Sequence, residues 1–159
     1  MPSFDVAQFK ITDDAITKFR RWVKKPRDCV INAMELLGIL NDQSADIARI
    51  MVGDQGLKVG QIEDIFSLVE PKFHWRFFRF TKLETLAQFT NQELKPAHAI
   101  FCGYVGQEGH VFLIAKSASG RVMYVDPQIN QLCPLDKSEC ENFINNKHAY
   151  FILQASPKN

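Results

Sequence analysis

The sequence predicts an α+β fold in which a buried helix packs on an antiparallel sheet. Three observations point there. Helical patterning is concentrated in about residues 1–70, and the mostly β part runs from about 71 to 159. One helical stretch, from Cys29 towards Leu40, is apolar on nearly every side, as expected of a helix enclosed within a domain. After His98, short apolar runs alternate with glycine-containing segments, as in a succession of hairpins.

The elements follow in order. Asp13-Asp14 opens an apolar-periodic stretch through Ile16, Phe19 and Trp22, and acidic residues suit a helix start. Pro26 requires that helix to stop by Lys25. The second helix begins at Asp28 or Cys29 and runs through Val30, Ala33, Met34 and Leu37 to about Leu40, with Asn41-Asp42 as its end. Weaker helical stretches are expected over 44–52 and 59–68. The aromatic run Phe73–Phe80 reads as a strand, bounded by Pro71 and Thr81. A short helix over 82–89 leads into a meander with strands at 98–105, 110–116 and 121–125, and a last strand at 150–154.

Composition bounds the function. A chain of 159 residues can form one domain, 1–159, with a substantial core. Nineteen basic and 18 acidic side chains leave a formal net charge of +1, which gives no global field to draw nucleic acid or an anionic membrane. No stretch approaches the roughly 20 apolar residues of a membrane span. The N-terminal MPSFDVAQFKITDD carries no basic segment followed by an apolar one, so a cytoplasmic location is expected. The four cysteines, Cys29, Cys102, Cys133 and Cys140, include no CxxC pair, and His98/Cys102 and Cys133/Cys140 are loosely spaced. Reduced thiols, no metal and no cofactor are the expectation.

Two groups of residues carry candidate chemistry. A three-residue turn at 117–119 would set Lys116 opposite Gly120 and, six steps back along both strands, His110 directly opposite Asp126 on one face. A carboxylate in that position holds an imidazole in one tautomer and stabilises its protonated form. Cys29 lies at the first turn of the most apolar helix, where unpaired N–H groups and the helix dipole favour a thiolate. The basic run 20–27 adds to that effect and Asp28 opposes it. Taken singly, Cys29 reads as a structural cysteine and His110–Asp126 as a polar contact across a hairpin.

Other features read as structural. Arg76 and Arg79 interleave with the aromatics of Phe73–Phe80 as in a base-stacking platform, but fit a core strand with arginines at its edge. The expected surroundings are solvent or a polar partner for His98 and His148, the side away from the core for His74, the core for Cys102, and an exposed loop for Cys133 and Cys140.

The order of Cys29 at a buried helix start, then His110 and Asp126 on successive late strands, resembles the papain-like cysteine peptidase superfamily. Asp28-Cys29-Val30-Ile31-Asn32-Ala33 looks like the nucleophile segment of those enzymes. Gly109-His110-Val111-Phe112-Leu113-Ile114 and Tyr124-Val125-Asp126-Pro127-Gln128 look like their His and Asp strands. The stretch from His98 through His110 is similar to the compact leader peptidases of aphthoviruses. The Val-Asp-Pro step is similar to bacteriocin-leader peptidases and to papain-like glutamine deamidase toxins. The likeness covers 98–135 and 26–40 and leaves 41–97 without a counterpart. Where these families place a Gln or Asn five or six residues before the nucleophile, this chain has Lys24 and Val23. The Cys29 N–H supplies one oxyanion donor, and Lys24, the Trp22 indole and Gln8 are candidates for the second.

The resemblance implies a papain-like fold and a cysteine-dependent hydrolase with a Cys29–His110–Asp126 triad. It implies a protein or peptide substrate cleaved at a peptide or isopeptide amide, including removal of a ubiquitin-like modifier. The compact size and the lack of a secretory signal suit a viral or bacterial effector in host cytoplasm. Glutamine deamidation would use the same triad. The alternative is a catalytically degenerate papain-like binding module. A nucleic-acid or membrane partner is not expected.

Overall fold

The computed structural model describes residues 6–18, 29–52, 59–80, 83–105, 109–127, 131–145 and 149–158. The chain is α+β. Its elements are β1 (Phe9–Lys10), α1 (Asp13–Lys18), α2 (Cys29–Leu36), α3 (Asp42–Val52), α4 (Val59–Val69), β2 (Phe73–Phe80) and α5 (Leu83–Gln92), then β3 (His98–Val105), β4 (Gly109–Lys116), β5 (Val122–Asp126), β6 (Gln131–Pro134), a 3-10 helix (Ser138–Asn142) and β7 (Ala149–Pro157). The expected continuation of α1 beyond Lys18, the basic run 20–27 and His148 lie outside the described residues.

Local chemistry sets the helix ends. Thr12 Oγ1 accepts the Ala15 N–H at 3.0 Å and caps α1. The apolar pattern continues through Ile39 and Leu40, yet α2 stops at Leu36. Gly38 takes φ +75°, Ile39 N–H donates to Met34 O at 3.0 Å and Gly38 N–H to Glu35 O at 3.0 Å. That Schellman pattern satisfies the last carbonyls of the helix. Asn41, expected to close α2, instead opens α3: its Oδ1 accepts the Ser44 N–H at 2.8 Å while Ser44 Oγ accepts the Asn41 N–H at 2.9 Å.

The described strands form one antiparallel sheet in the order β2-β7-β3-β4-β5-β6, with β1 paired to β3. From β3 to β5 the strands run as the expected meander, and β6 and β1 are additions to it. The last strand does not extend the meander but inserts between β2 and β3. β7 pairs with β3 only over Ala149–Ile152. Where the two part, Ala7 N–H donates to Leu153 O at 3.0 Å and Phe9 pairs with Ala99, so residues 6–10 fill the gap. β2 forms one edge of the sheet. There Glu63 of α4 accepts the Phe77 N–H at 2.7 Å, which occupies a donor that another strand would need.

The sheet is covered on both faces. One core cluster joins Phe101, Val111, Leu113 and Val125 to Ile16 of α1, to Val30, Ala33 and Met34 of α2 and to Ile62 and Phe66 of α4. The other joins Ile100, Phe112, Ile114, Tyr124 and Ile152 to Leu86 of α5 and to Cys140 of the 3-10 helix. Period-2 alternation explains the division, because Phe101 and Cys102 face opposite ways. Cys102 is fully buried, as expected, and His74, Arg76 and Arg79 are exposed. Lys116 is buried to 9% exposure and donates from Nζ to Asn91 O near the end of α5 at 3.1 Å, which suits a cation at a helix C-terminus. No helix among the described residues is long and apolar enough to cross a membrane.

Candidate active site

Two central strands and the buried helix bring Cys29, His110 and Asp126 together. The β4–β5 turn sets the geometry. Ser117 N–H donates to Arg121 O at 2.8 Å and Gly120 N–H to Ser117 O at 2.9 Å, with Gly120 at φ +95°. The three-residue loop is therefore 118–120 rather than 117–119, because the glycine must occupy the left-handed position within it. Leu113 then pairs with Val125 and Lys116 with Val122, so the ladder register places Asp126 opposite Phe112 and diagonal to His110. The expected direct opposition of His110 and Asp126 is corrected, but their common face survives, since the slip moves the partner by two residues.

The side chains span the diagonal. His110 Nε2 lies 2.5 Å from Asp126 Oδ2. Asp126 is fully buried, and the His110 side chain retains 17% exposure. The same Oδ2 accepts the Tyr124 hydroxyl at 2.6 Å, from a residue 1% exposed on the same face of β5. A buried carboxylate needs such donors. Tyr124 thereby joins the candidate site, and its place two residues before Asp126 on one strand is the only sign of this in the sequence.

Cys29 is the first residue of α2 and is 8% exposed. It lies close enough to the His110 ring for the thiol to raise the ring's pKa. With Nε2 committed to Asp126, Nδ1 is the nitrogen left to meet the sulfur. Cys29 belongs to the core cluster of one sheet face, while His110 shares its face with Phe112 of the other. Thiol and imidazole therefore meet at the end of the sheet where β4 begins and β5 finishes.

Burial of the ring pushes the His110 pKa down, but hydrogen bonds to Asp126 and Cys29 and electrostatic attraction to both overcome it, raising the pKa from 6.5 to about 9. Tyr104 stands directly across from His110 in the β3–β4 ladder, with ring centroids 5.6 Å apart. Burial, then Asp126 and Cys29, raise the Tyr104 pKa, so this phenol senses the same field. Its own ring packs edge-on against Tyr150 at 5.9 Å. Gly103 beside it leaves room for the backbone of β4, since a Cβ there would lie 3.1 Å from His110 O.

The remaining candidates fall elsewhere. Gln8 donates from Nε2 to Glu93 O at 3.3 Å, and its Oε1 accepts the Lys95 N–H at 2.9 Å. That commits it beyond the C-terminus of α5, near the start of β3 and at the opposite end of the sheet from His110, so it is not the second oxyanion donor. Trp22, Val23 and Lys24 lie outside the described residues. His98 has its polar partner, Pro96 O, at 2.9 Å from Nδ1. Cys133 and Cys140 are not exposed: short β6 and the 3-10 helix bury them to 5% and 2% exposure. Among the described residues no group of three or more His, Cys, Asp or Glu could hold a metal ion.

A thiol, an imidazole and a buried carboxylate in that order are the groups that nucleophilic catalysis by cysteine requires. No protein-family model matches this chain, and no curated protein matches it in sequence.

Proposed function

We propose that this chain is a papain-like cysteine hydrolase that attacks an amide carbonyl through Cys29, His110 and Asp126. The observation that carries the reading is His110 itself, an imidazole hydrogen-bonded to the buried Asp126 carboxylate with the Cys29 thiol near enough to raise its pKa. A structural histidine needs one polar partner. This one has a buried carboxylate on Nε2 and a thiol beside the ring, and both raise its pKa.

Attack begins with the thiol proton on His110 and the Cys29 sulfur as nucleophile. The sulfur adds to the carbonyl carbon, and the charge gathering on the carbonyl oxygen falls near the unpaired N–H groups at the start of α2. His110 returns its proton to the departing nitrogen, leaving a thioester on Cys29. A water then gives a proton to His110 and adds to the thioester carbon, the C–S bond breaks to release the carboxylic acid, and the His110 proton returns to the Cys29 sulfur. Asp126 keeps the ring in place throughout and stabilises its cationic form. The substrate class is a peptide or isopeptide amide, including that of a ubiquitin-like modifier; a glutamine side-chain amide would react by the same steps.

Site-by-site alkylation by iodoacetamide at neutral pH, read by mass spectrometry, tests the reading. Cys29 is expected to react faster than Cys102, Cys133 and Cys140, and His110→Ala is expected to slow it. A Cys29 that is inert, or whose rate ignores His110, would overturn the assignment. Activity-based probes ending in peptide, ubiquitin-like or glutamine amides then separate the substrate classes.

A further inference from the structure

The second core cluster holds a pair of thiols that the proposed hydrolysis does not use. Cys133 lies in β6 and Cys140 in the 3-10 helix, and both are buried. Two tight turns connect them. Lys137 N–H donates to Pro134 O at 3.1 Å and Cys140 N–H to Lys137 O at 3.0 Å, which folds the chain back on itself within eight residues. Both side chains belong to the same buried cluster, and Cys133 lies close enough to Cys140 to raise its pKa. A cavity of about 300 Å³ lined by Leu86, Leu135, Lys137 and Ile144 reaches Cys140 from outside, large enough for a small oxidant though not for a protein.

We propose that Cys133 and Cys140 are a modification site, forming a reversible disulfide when the folded chain meets hydrogen peroxide. The Cys140 sulfur attacks one peroxide oxygen, the O–O bond breaks, and with proton transfer the products are a sulfenic acid and water. The Cys133 sulfur then attacks the Cys140 sulfur. The S–S bond forms, and the sulfenic oxygen leaves as water with the Cys133 proton. Two thiols are oxidised by two electrons, and one peroxide is reduced to two waters. Burial, followed by the neighbouring Cys133, pushes the Cys140 thiol up to about 12, so the first step is slow at neutral pH. The second is intramolecular and needs no search.

The bond fastens the 3-10 helix to β6. Cys133 is the ladder partner of Tyr124, whose hydroxyl holds Asp126, so the clamp lies directly behind the proposed site. The inference stands whether or not Cys29 is a nucleophile.

The test treats the whole wild-type chain with hydrogen peroxide, quenches it, digests it without reduction and maps the peptides by mass spectrometry. A linked peptide joining Cys133 to Cys140, two hydrogens lighter than its parts and released by dithiothreitol, is expected. The oxidised chain should melt several degrees higher, and the gain should vanish on reduction. Cys29→Ser should form the same link, whereas Cys133→Ser and Cys140→Ser should each lose it. Separate alkylation of both thiols after peroxide treatment and denaturation would overturn the proposal, as would an isolated sulfinic acid at either position.

Discussion

His110 and Asp126 are diagonal neighbours on one face of the β4–β5 ladder, and Nε2 reaches Oδ2 across 2.5 Å. A diagonal pair has its Cβ atoms further apart than an opposed one, roughly 7–8 Å or somewhat less. The imidazole must therefore extend along the sheet towards β5, which turns its other nitrogen to the strand end where α2 begins. The thiol of the first α2 residue is then the group within its reach.

Asp126→Asn removes the charge while keeping the shape. Burial, the largest influence on the His110 ring, would then be opposed mainly by Cys29. The His110 titration midpoint, followed by NMR, is expected to fall from about 9 to 6.5 or below. Loss of the charged hydrogen bonds should cost about 1–3 kcal/mol in urea unfolding, and Cys29 alkylation should slow.

Stability should fall as pH rises through the weakly alkaline range. The His110 pKa is raised on folding, from 6.5 to about 9, so the folded chain holds this proton more tightly than the unfolded one. The contribution is fully present below pH 6.5 and is lost as pH approaches 9. Urea titrations at pH 6 and pH 9 should differ by about 1–3 kcal/mol in the wild type, and His110→Ala should remove this part of the difference.

Tyr124→Phe deletes one donor to a carboxylate that has no access to water. The expected loss is about 1–3 kcal/mol. Cys29 alkylation should slow at temperatures well below the melting point, which a change in packing alone would not produce.

Gly103→Ala forces a Cβ to within 3.1 Å of His110 O, a backbone atom that cannot rotate away. The central strands must shift, at a cost of about 1–3 kcal/mol, and the shift is expected to slow Cys29 alkylation. Gly60→Ala is the control. Its Cβ meets nothing within 4 Å on α4, so a gain of about 0.5–1 kcal/mol is expected with alkylation unchanged.

Much of the site was legible because its signals are local. Cys29 heads an apolar run, and His110 and Asp126 lie on two strands joined by one short turn. The register was misread by one residue at that turn because Gly120 is equally plausible as a first strand residue until its positive φ is known. Gly38 carried a stop signal for α2, but Ile39 and Leu40 continue the apolar pattern and mask it. Tyr124 resembles any aromatic of a core strand, and only the position of its hydroxyl beside Asp126 distinguishes it. Burial of Cys133 and Cys140 depends on a strand of four residues and on packing against α5, neither of which leaves a periodic trace. The insertion of β7 between β2 and β3 is a long-range pairing, and strand patterning carries no information on which neighbours a strand will choose.

That insertion imposes an order of events during synthesis. β7 is made after all the other described strands, yet β2 and β3 reach one another only through it. The hairpin bearing His110 can form early, from residues close in sequence, while β2 waits for a partner strand whose paired residues lie 70 to 84 residues away. Until that partner leaves the ribosome the nascent chain holds an open edge and an exposed aromatic strand. A nascent chain cut short of β7 would leave β2 unpaired, a ready substrate for chaperones and proteases.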